Sequence, residues 1–140
     1  MNSINRVTFS DDLATFDFAV IHAWLTNTYW SPGISREKVE RGFRASTVCV
    51  GAFLDGAQIG VARCVSDTTR FAYLADVFVA EPHRGQGVAR GLVRQLREHP
   101  RLRDVETWYL LTRDAHGVYA GLGFEPHPRP QDFMRYRKPG

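Results

Sequence analysis

The stretch VFVAEPHRGQGVARGLVRQL, residues 77–96, changes abruptly in character. It begins with β-branched and aromatic residues, passes a proline, and then has glycines at 85, 87 and 91. Apolar residues follow at helical spacing at Val88, Leu92 and Leu96, so a strand, a glycine loop and a helix are predicted in that order. Because the free N–H groups at a helix start bind anions and Arg84 adds positive charge, the loop is predicted to bind a phosphate-bearing ligand.

The residues before this stretch predict two helices and three strands. Residues 4–9 alternate apolar and polar side chains and are predicted as a first strand. A helix capped by Ser10 is predicted to run to about Thr26, and a second begins at Ser35. Two apolar runs joined by Asp55 and Gly56 predict a β-hairpin.

The remaining elements complete an α/β domain. Residues 70–80 are apolar on both faces, as is typical of a central strand. After the loop and its helix, residues 105–112 predict another strand, Asp114 is predicted to cap a short helix ending at Gly121, and one or two strands are predicted after Phe124. The predicted order is β-α-α-β-β-β-α-β-α-β, with a mixed sheet.

Composition limits the classes of protein to be considered. The 140 residues, 44% hydrophobic and 24% charged, are typical of one globular domain, residues 1–140. No apolar run is long enough to cross a bilayer and the N-terminus lacks a secretory pattern, so a cytoplasmic location without membrane association is expected. Cys49 and Cys64 are interpreted as buried, reduced thiols, and no metal site is predicted.

Three kinds of phosphate loop can be compared with the glycines. The nucleotide-triphosphate loop requires a lysine that is absent here. The dinucleotide fingerprint has Arg90 at its third glycine position, and it belongs to the first βα turn of a parallel sheet, whereas this loop comes later. The third pattern, R-x-x-G-x-A from Arg84 to Ala89, resembles the coenzyme A loop of the GNAT N-acetyltransferase superfamily. A second segment, VYAGLGFEP at residues 118–126, resembles the Y-x-x-x-G-F segment of the same superfamily.

The resemblance implies a mostly antiparallel sheet with helices on both faces, and a reaction in which an amine attacks acetyl-CoA directly, without a metal. It implies that main-chain groups of the central strand bind the pantetheine arm, at Val77, Phe78 and Val79. It assigns the diphosphate to the loop and the helix start, at Arg84, Gly85, Gln86, Gly87, Val88 and Ala89. Arg90 is expected to add charge near the adenosine 3′-phosphate of the same cofactor. Tyr119 corresponds to the general acid, for which the phenol pKa must be lowered unless solvent supplies the proton.

The acceptor site is predicted less directly. Asp76, expected to share a strand face with Leu74 and Phe78, is a candidate both for binding the amine and for accepting its proton; Glu81 is a second candidate. Tyr29 and Trp30 are predicted to cover the substrate. Their aromatic rings suggest a small amine with an apolar or aromatic body, although a peptide acceptor stays open.

One position departs from the superfamily pattern. Arg113 stands where many members have asparagine, so it is expected to contact either coenzyme A or an acidic acceptor. The resemblance also implies a homodimer formed through the late strands. Two alternatives to an enzyme are a non-catalytic coenzyme A sensor and an RNA- or protein-binding domain that uses the basic helix, although no nucleic-acid reader motif is present.

Overall fold

A five-stranded sheet with its strands in chain order organises the protein, for which a computed structural model describes residues 6–140. The strands are β1 (Thr8–Ser10), β2 (Val48–Leu54), β3 (Ala57–Ser66), β4 (Phe71–Val79) and β5 (Thr107–Tyr109). Neighbours are antiparallel except β4 and β5, which are parallel. The predicted mixed, mostly antiparallel sheet and the hairpin at Asp55 and Gly56 are therefore confirmed.

Helices cover both faces of the sheet. They are α1 (Phe18–Leu25), α2 (Arg36–Ala45), α3 (Val88–Arg97) and α4 (His116–Ala120). One face packs against the apolar side of α3, including Leu92, Val93 and Leu96. The other packs against α1 and α2 through Ile21, Leu25 and Phe43. Burial of these side chains fixes the helices on the sheet, because each buried aliphatic or aromatic side chain contributes about 1.5–3 kcal/mol.

The first predicted helix is wrong in its N-terminal half. The Ser10 hydroxyl accepts from the Asp12 N–H, and a short 3-10 turn at Leu13–Thr15 follows. The backbone is then extended at Phe16, and α1 begins only at Phe18 with Asp17 as its N-cap. Short polar side chains bond to nearby backbone N–H groups and so compete with helix formation, which explains the later start.

The C-terminal predictions need two corrections. Asp114 does not cap α4, because the N-cap is Ala115, and the Ala115 N–H donates to the Thr112 hydroxyl at 3.1 Å. Residues 125–140 form a 3-10 turn at Pro130–Asp132 but no strand, although one or two were predicted. Prolines at 126, 128 and 130 remove backbone donors that a strand needs. Of the predicted first strand, residues 4 and 5 lie outside the described residues.

The two cysteines are buried and unpaired, on opposite faces of the sheet. Cys49 belongs to the core under α1 and α2, whereas Cys64 lies in the core under α3. Burial raises the pKa of Cys49 to about 11 and that of Cys64 to about 12. Since the thiolate is the reactive form, both thiols are protected at neutral pH.

We expect iodoacetamide at about pH 8 to modify both thiols rapidly in urea but neither in the native protein, as counted by mass spectrometry. The folded-state pKa values exceed the ordinary value of 9.0. The thiols therefore contribute stability below about pH 9 that is lost as the pH rises through 11 and 12. Rapid modification of the native protein would contradict the burial of either thiol.

Candidate functional site

A cleft opens where β4 and β5 separate. Their pairing ends at Tyr73 and Tyr109, while β4 continues to Val79. The cleft contains a cavity of about 360 Å³, lined by residues 27–30 between α1 and α2, residues 77–79 of β4, Arg84 and Asp114. Beyond Tyr73, the edge of β4 that faces β5 is not paired with that strand, so its main-chain groups can bind an extended ligand.

A β-bulge in β4 decides which side chains face the cleft. Between Val61 and Arg63 of β3, the partner on β4 moves by three residues, from Phe78 to Ala75. Asp76 lies within this bulge with a left-handed φ of 53°. The extra residue reverses the alternation, so Leu74 packs in the core under α3 whereas Phe78 packs against the core under α1 and α2. The expectation that Asp76 shares a face with both Leu74 and Phe78 is therefore wrong: it shares a face with Phe78 only.

Both carboxylate oxygens of Asp76 are hydrogen-bonded. Oδ2 accepts from Nε of Arg63 at 2.7 Å, and Oδ1 accepts from Nε1 of Trp30 at 2.8 Å. The Asp76 side chain is 13% exposed and that of Arg63 is 25% exposed. Asp76 thus ties the α1–α2 connection to the bulge. Arg63 was not predicted as part of the site; its signal in the sequence is a single charged side chain among the mostly buried residues of β3.

The α1–α2 connection also contacts the opposite wall of the cleft. The hydroxyl of Tyr29 accepts from the Arg113 N–H at 2.8 Å, and the Arg113 guanidinium lies 4.3 Å from the centre of the Tyr29 ring. The Tyr29 and Trp30 rings are 5.0 Å apart, edge to face. Tyr29 and Trp30 therefore bridge the cleft from the loop after β5 to β4. The contacts of Tyr29 and Trp30 with substrate stay predictions, as does the contact of Arg113 with coenzyme A or an acidic acceptor.

The glycine loop has the backbone geometry of an anion site. Gly85 and Gly87 have left-handed φ values of 75° and 86°, and Gly87 is the N-cap of the ten-residue helix α3. No described atom beyond their chain neighbours lies within 4 Å of a Cβ placed on either glycine. Within the protein, the glycines are therefore required by φ rather than by a close contact. Nε of Arg84 donates to the Val79 carbonyl at 2.8 Å, which joins the loop to the end of β4.

The residues that follow the loop join it to the second signature segment. Val88 is buried and Ala89 packs beside it, so both offer only backbone groups to a ligand. Nη2 of Arg90 lies 2.8 Å from a Cβ placed on Gly121, so the Arg90 side chain passes close to the backbone of that segment. Arg97 donates to the Leu122 carbonyl at 2.6 Å. The structure thereby brings the two signature segments into contact, as their resemblance requires.

Tyr119 is half-buried behind the cleft, where its ring packs edge to face on Phe124 with centroids 5.8 Å apart. Burial raises the pKa of Tyr119 to about 12, with further contributions from Tyr29 and Asp114, both of which line the cavity. The phenol is therefore protonated at neutral pH. A lowered pKa, which efficient proton donation would require, is not found.

Asp114 is a carboxylate of the cavity wall and was predicted only as a helix cap. It is exposed and lines the same cavity as Tyr29 and Trp30. Among residues 6–140 it makes no hydrogen bond or ion pair with another side chain or the backbone. The signal for Asp114 in the sequence is its place soon after a predicted strand, where functional loop residues concentrate.

Within the part of the chain that is described, no helix could span a membrane and no three His, Cys, Asp or Glu side chains are grouped as a metal site requires.

Comparison with known proteins places these features in a family. Residues 12–124 match the family model for the acetyltransferase (GNAT) family. A GNAT-family acetyltransferase structure from Xanthomonas campestris pv. campestris is 41% identical, with a TM-score of 0.88, over 96% of this chain and 94% of that one. A Deinococcus radiodurans R1 acetyltransferase has 23% identity and a TM-score of 0.76 over 99% of this chain and 92% of its own. A Clostridium acetobutylicum acetyltransferase described with acetyl-CoA has 15% identity and a TM-score of 0.71 over 94% of this chain and 96% of its own. At these identities, the Deinococcus and Clostridium structures show the fold alone. No curated protein matches.

Proposed function

This chain belongs to the acetyltransferase (GNAT) family, and on that premise we propose that it transfers the acetyl group of acetyl-CoA to the primary amine of a small molecule. The observation that carries the proposal is the unpaired edge of β4 at residues 77–79, which lies in one cavity with Arg84 of the glycine loop. An extended chain ending in a diphosphate fits this combination, since the edge offers backbone hydrogen bonds and the loop offers an anion site.

The residues present fit coenzyme A. A Cβ placed on Gly85 or Gly87 meets no described atom beyond the chain neighbours within 4 Å, and both glycines stand at the start of a ten-residue helix, whose dipole favours a diphosphate. Arg84, Gln86 and Arg90 are the proposed side-chain contributors to this site, together with the backbone of Val88. Val77, Phe78 and Val79 are proposed to bind the pantetheine arm through their main chain. When bound, acetyl-CoA supplies an activated acetyl thioester.

Tyr119 is proposed to hold the proton that the departing thiolate requires. With its pKa raised to about 12, the phenol is protonated at every pH at which the enzyme would work. A thiol titrates near 8.5, so transfer from this phenol is uphill and solvent is expected to share the task. Tyr119 is therefore proposed as a contributor to catalysis rather than as an indispensable group.

The acceptor is proposed to lie beneath Tyr29 and Trp30. The two rings bridge the cleft and supply apolar surface, which suits a small amine with an apolar or aromatic body. The role of Asp76 as a base stays a prediction, to be weighed against its bonds to Arg63 and Trp30. In the five-stranded sheet β5 is an end strand, and this edge is proposed for pairing in a homodimer.

Calorimetry with coenzyme A, followed by an assay of free thiol release, tests the proposal. We expect binding in the range of about 1 μM to 1 mM, and thermal stabilisation equivalent to about 2.7 kcal/mol at a hundredfold excess over Kd. The thiol assay would use acetyl-CoA with benzylamine, 2-phenylethylamine, tyramine, tryptamine and 1,4-diaminobutane. Absence of heat at millimolar coenzyme A would contradict the binding site. Binding without thiol release from any amine would indicate a coenzyme A sensor instead.

A further inference from the structure

Asp114 lines the cavity, whereas Asp76 contacts the cavity wall through Trp30, and the two carboxylates differ in what already surrounds them. Asp76 has both oxygens hydrogen-bonded and its charge is matched by Arg63. Asp114 is exposed to the cavity and is engaged by no hydrogen bond or ion pair in the described residues. Glu81, the other carboxylate considered from sequence, does not line this cavity. Asp114 is thus the carboxylate of the cavity wall whose oxygens are available to a ligand.

Building on the proposed function, we infer that Asp114 binds the ammonium group of the acceptor between its carboxylate and the aromatic surface of Trp30. Both residues line the 360 Å³ cavity that also contains residues 77–79 of β4. A carboxylate beside an aromatic ring is a favourable environment for an ammonium ion, because a charge-assisted hydrogen bond and a cation–π contact act together. The acceptor class is accordingly a cationic primary amine with an apolar or aromatic flank.

Contacts around Trp30 and Tyr29 support this placement. Trp30 is 43% exposed, and its indole N–H is held by Asp76, so the ring is fixed while part of its surface remains open. The neighbouring Tyr29 ring already has the Arg113 guanidinium 4.3 Å from its centre, which shows that aromatic surface in this cleft accepts a cation. Arg84, the other charged residue of the cavity wall, is directed to the Val79 carbonyl at the loop end. Its charge belongs to the proposed diphosphate site.

The position of Asp114 also links acceptor binding to Tyr119. After burial and the contribution of Tyr29, the negative charge of Asp114 is a further cause of the raised Tyr119 pKa. An ammonium ion bound at Asp114 offsets that charge. Binding of the acceptor therefore moves the Tyr119 pKa down, toward that of the thiol to be protonated.

The test compares Asp114→Asn with Asp104→Asn and Asp76→Asn. Asp104 is also exposed but lies outside the cavity, so its variant controls for loss of a surface charge. With the amine from the panel that the wild type uses best, Asp114→Asn is expected to raise the KM for amine roughly 10- to 100-fold, the loss of a charged hydrogen bond. The KM for acetyl-CoA should stay within about twofold, and Asp104→Asn should match the wild type. Asp114→Glu should restore part of the loss.

Amine binding can be measured without turnover, so the role of Asp114 is tested even if acetyl transfer is slow. Thermal shift with 2-phenylethylamine, at saturating coenzyme A, is expected to show stabilisation of the wild type and Asp104→Asn that Asp114→Asn lacks and that salt weakens. Equal amine binding by Asp114→Asn and the wild type would overturn the assignment. So would a loss confined to Asp76→Asn, or the binding of no panel amine to the wild type. Failure to bind coenzyme A would instead contradict the proposed function, and amine binding to the free protein would still test Asp114.

Discussion

Gly87→Ala is expected to weaken coenzyme A binding roughly 10- to 100-fold while the protein remains folded. Gly87 has a φ of 86°, which costs an L-residue with a side chain about 1–2 kcal/mol. Relaxation of that strain turns the N–H groups of the loop away from the diphosphate, and each lost hydrogen bond to a charged group is worth about 1.5–3 kcal/mol. The added methyl group would also project into the open space in front of the loop. Calorimetric titration with coenzyme A measures the change.

Gly56→Ala is the matched control for this substitution. Gly56 has a φ of 83° and, like Gly87, no described atom beyond its chain neighbours within 4 Å of a placed Cβ, but it lies in the turn between β2 and β3. Both variants should lose similar stability in urea unfolding, and only Gly87→Ala should lose affinity. Gly85→Ala, at a φ of 75°, is expected to behave like Gly87→Ala. Wild-type affinity in both loop variants would show that the diphosphate binds elsewhere.

Tyr119→Phe is expected to lower kcat roughly 10- to 100-fold, with little change in the KM for acetyl-CoA. General acid catalysis contributes typically about 100- to 10,000-fold. A loss at the lower end of this range is expected because the pKa of this phenol is raised to about 12, mainly by burial and further by Tyr29 and Asp114. The raised pKa makes the phenol a weak proton donor. Removal of only the hydroxyl leaves the ring contact with Phe124 in place. Tyr136→Phe, which removes the same atom from a side chain that is 86% exposed, is the control.

The pH dependence of the same enzyme follows from the direction of this shift. An acid is effective while protonated, so a pKa of about 12 in the free protein predicts no decline of kcat/KM for acetyl-CoA between about pH 7 and 10 from Tyr119. The phenol also contributes stability that is present below pH 10, its ordinary pKa, and is lost as the pH rises through 12. An unchanged kcat in Tyr119→Phe would remove this residue from the mechanism. A decline of kcat above about pH 8–9 that disappears in Tyr119→Phe would show that bound substrates lower the pKa of Tyr119.

Much of the fold could be predicted because its signals are local in the chain. Asp55 and Gly56 form the predicted hairpin turn, since both adopt left-handed φ values that these residue types tolerate. Ser35 caps α2 through its own side chain, which accepts from the Lys38 N–H. The first helix was predicted too long because the apolar spacing that begins at Leu13 and Phe16 is also helical. The polar side chains of Ser10 and Asp12 bond to nearby backbone N–H groups, and the helix starts only at Phe18.

The glycine loop, proposed to bind the diphosphate, could be predicted from sequence alone because the glycines at 85 and 87 and the start of α3 act through their own backbone within a few residues. The side of the cleft proposed for the acceptor depends instead on contacts between segments that are distant in the chain. The bulge at Asp76 depends on unequal pairing between two strands, and the partner carboxylate of Trp30 is 46 residues away. These contacts give Asp76 hydrogen bonds to both of its carboxylate oxygens and leave the carboxylate of Asp114 exposed to the cavity. The difference follows from the packing of distant segments, and no local sequence pattern predicts it.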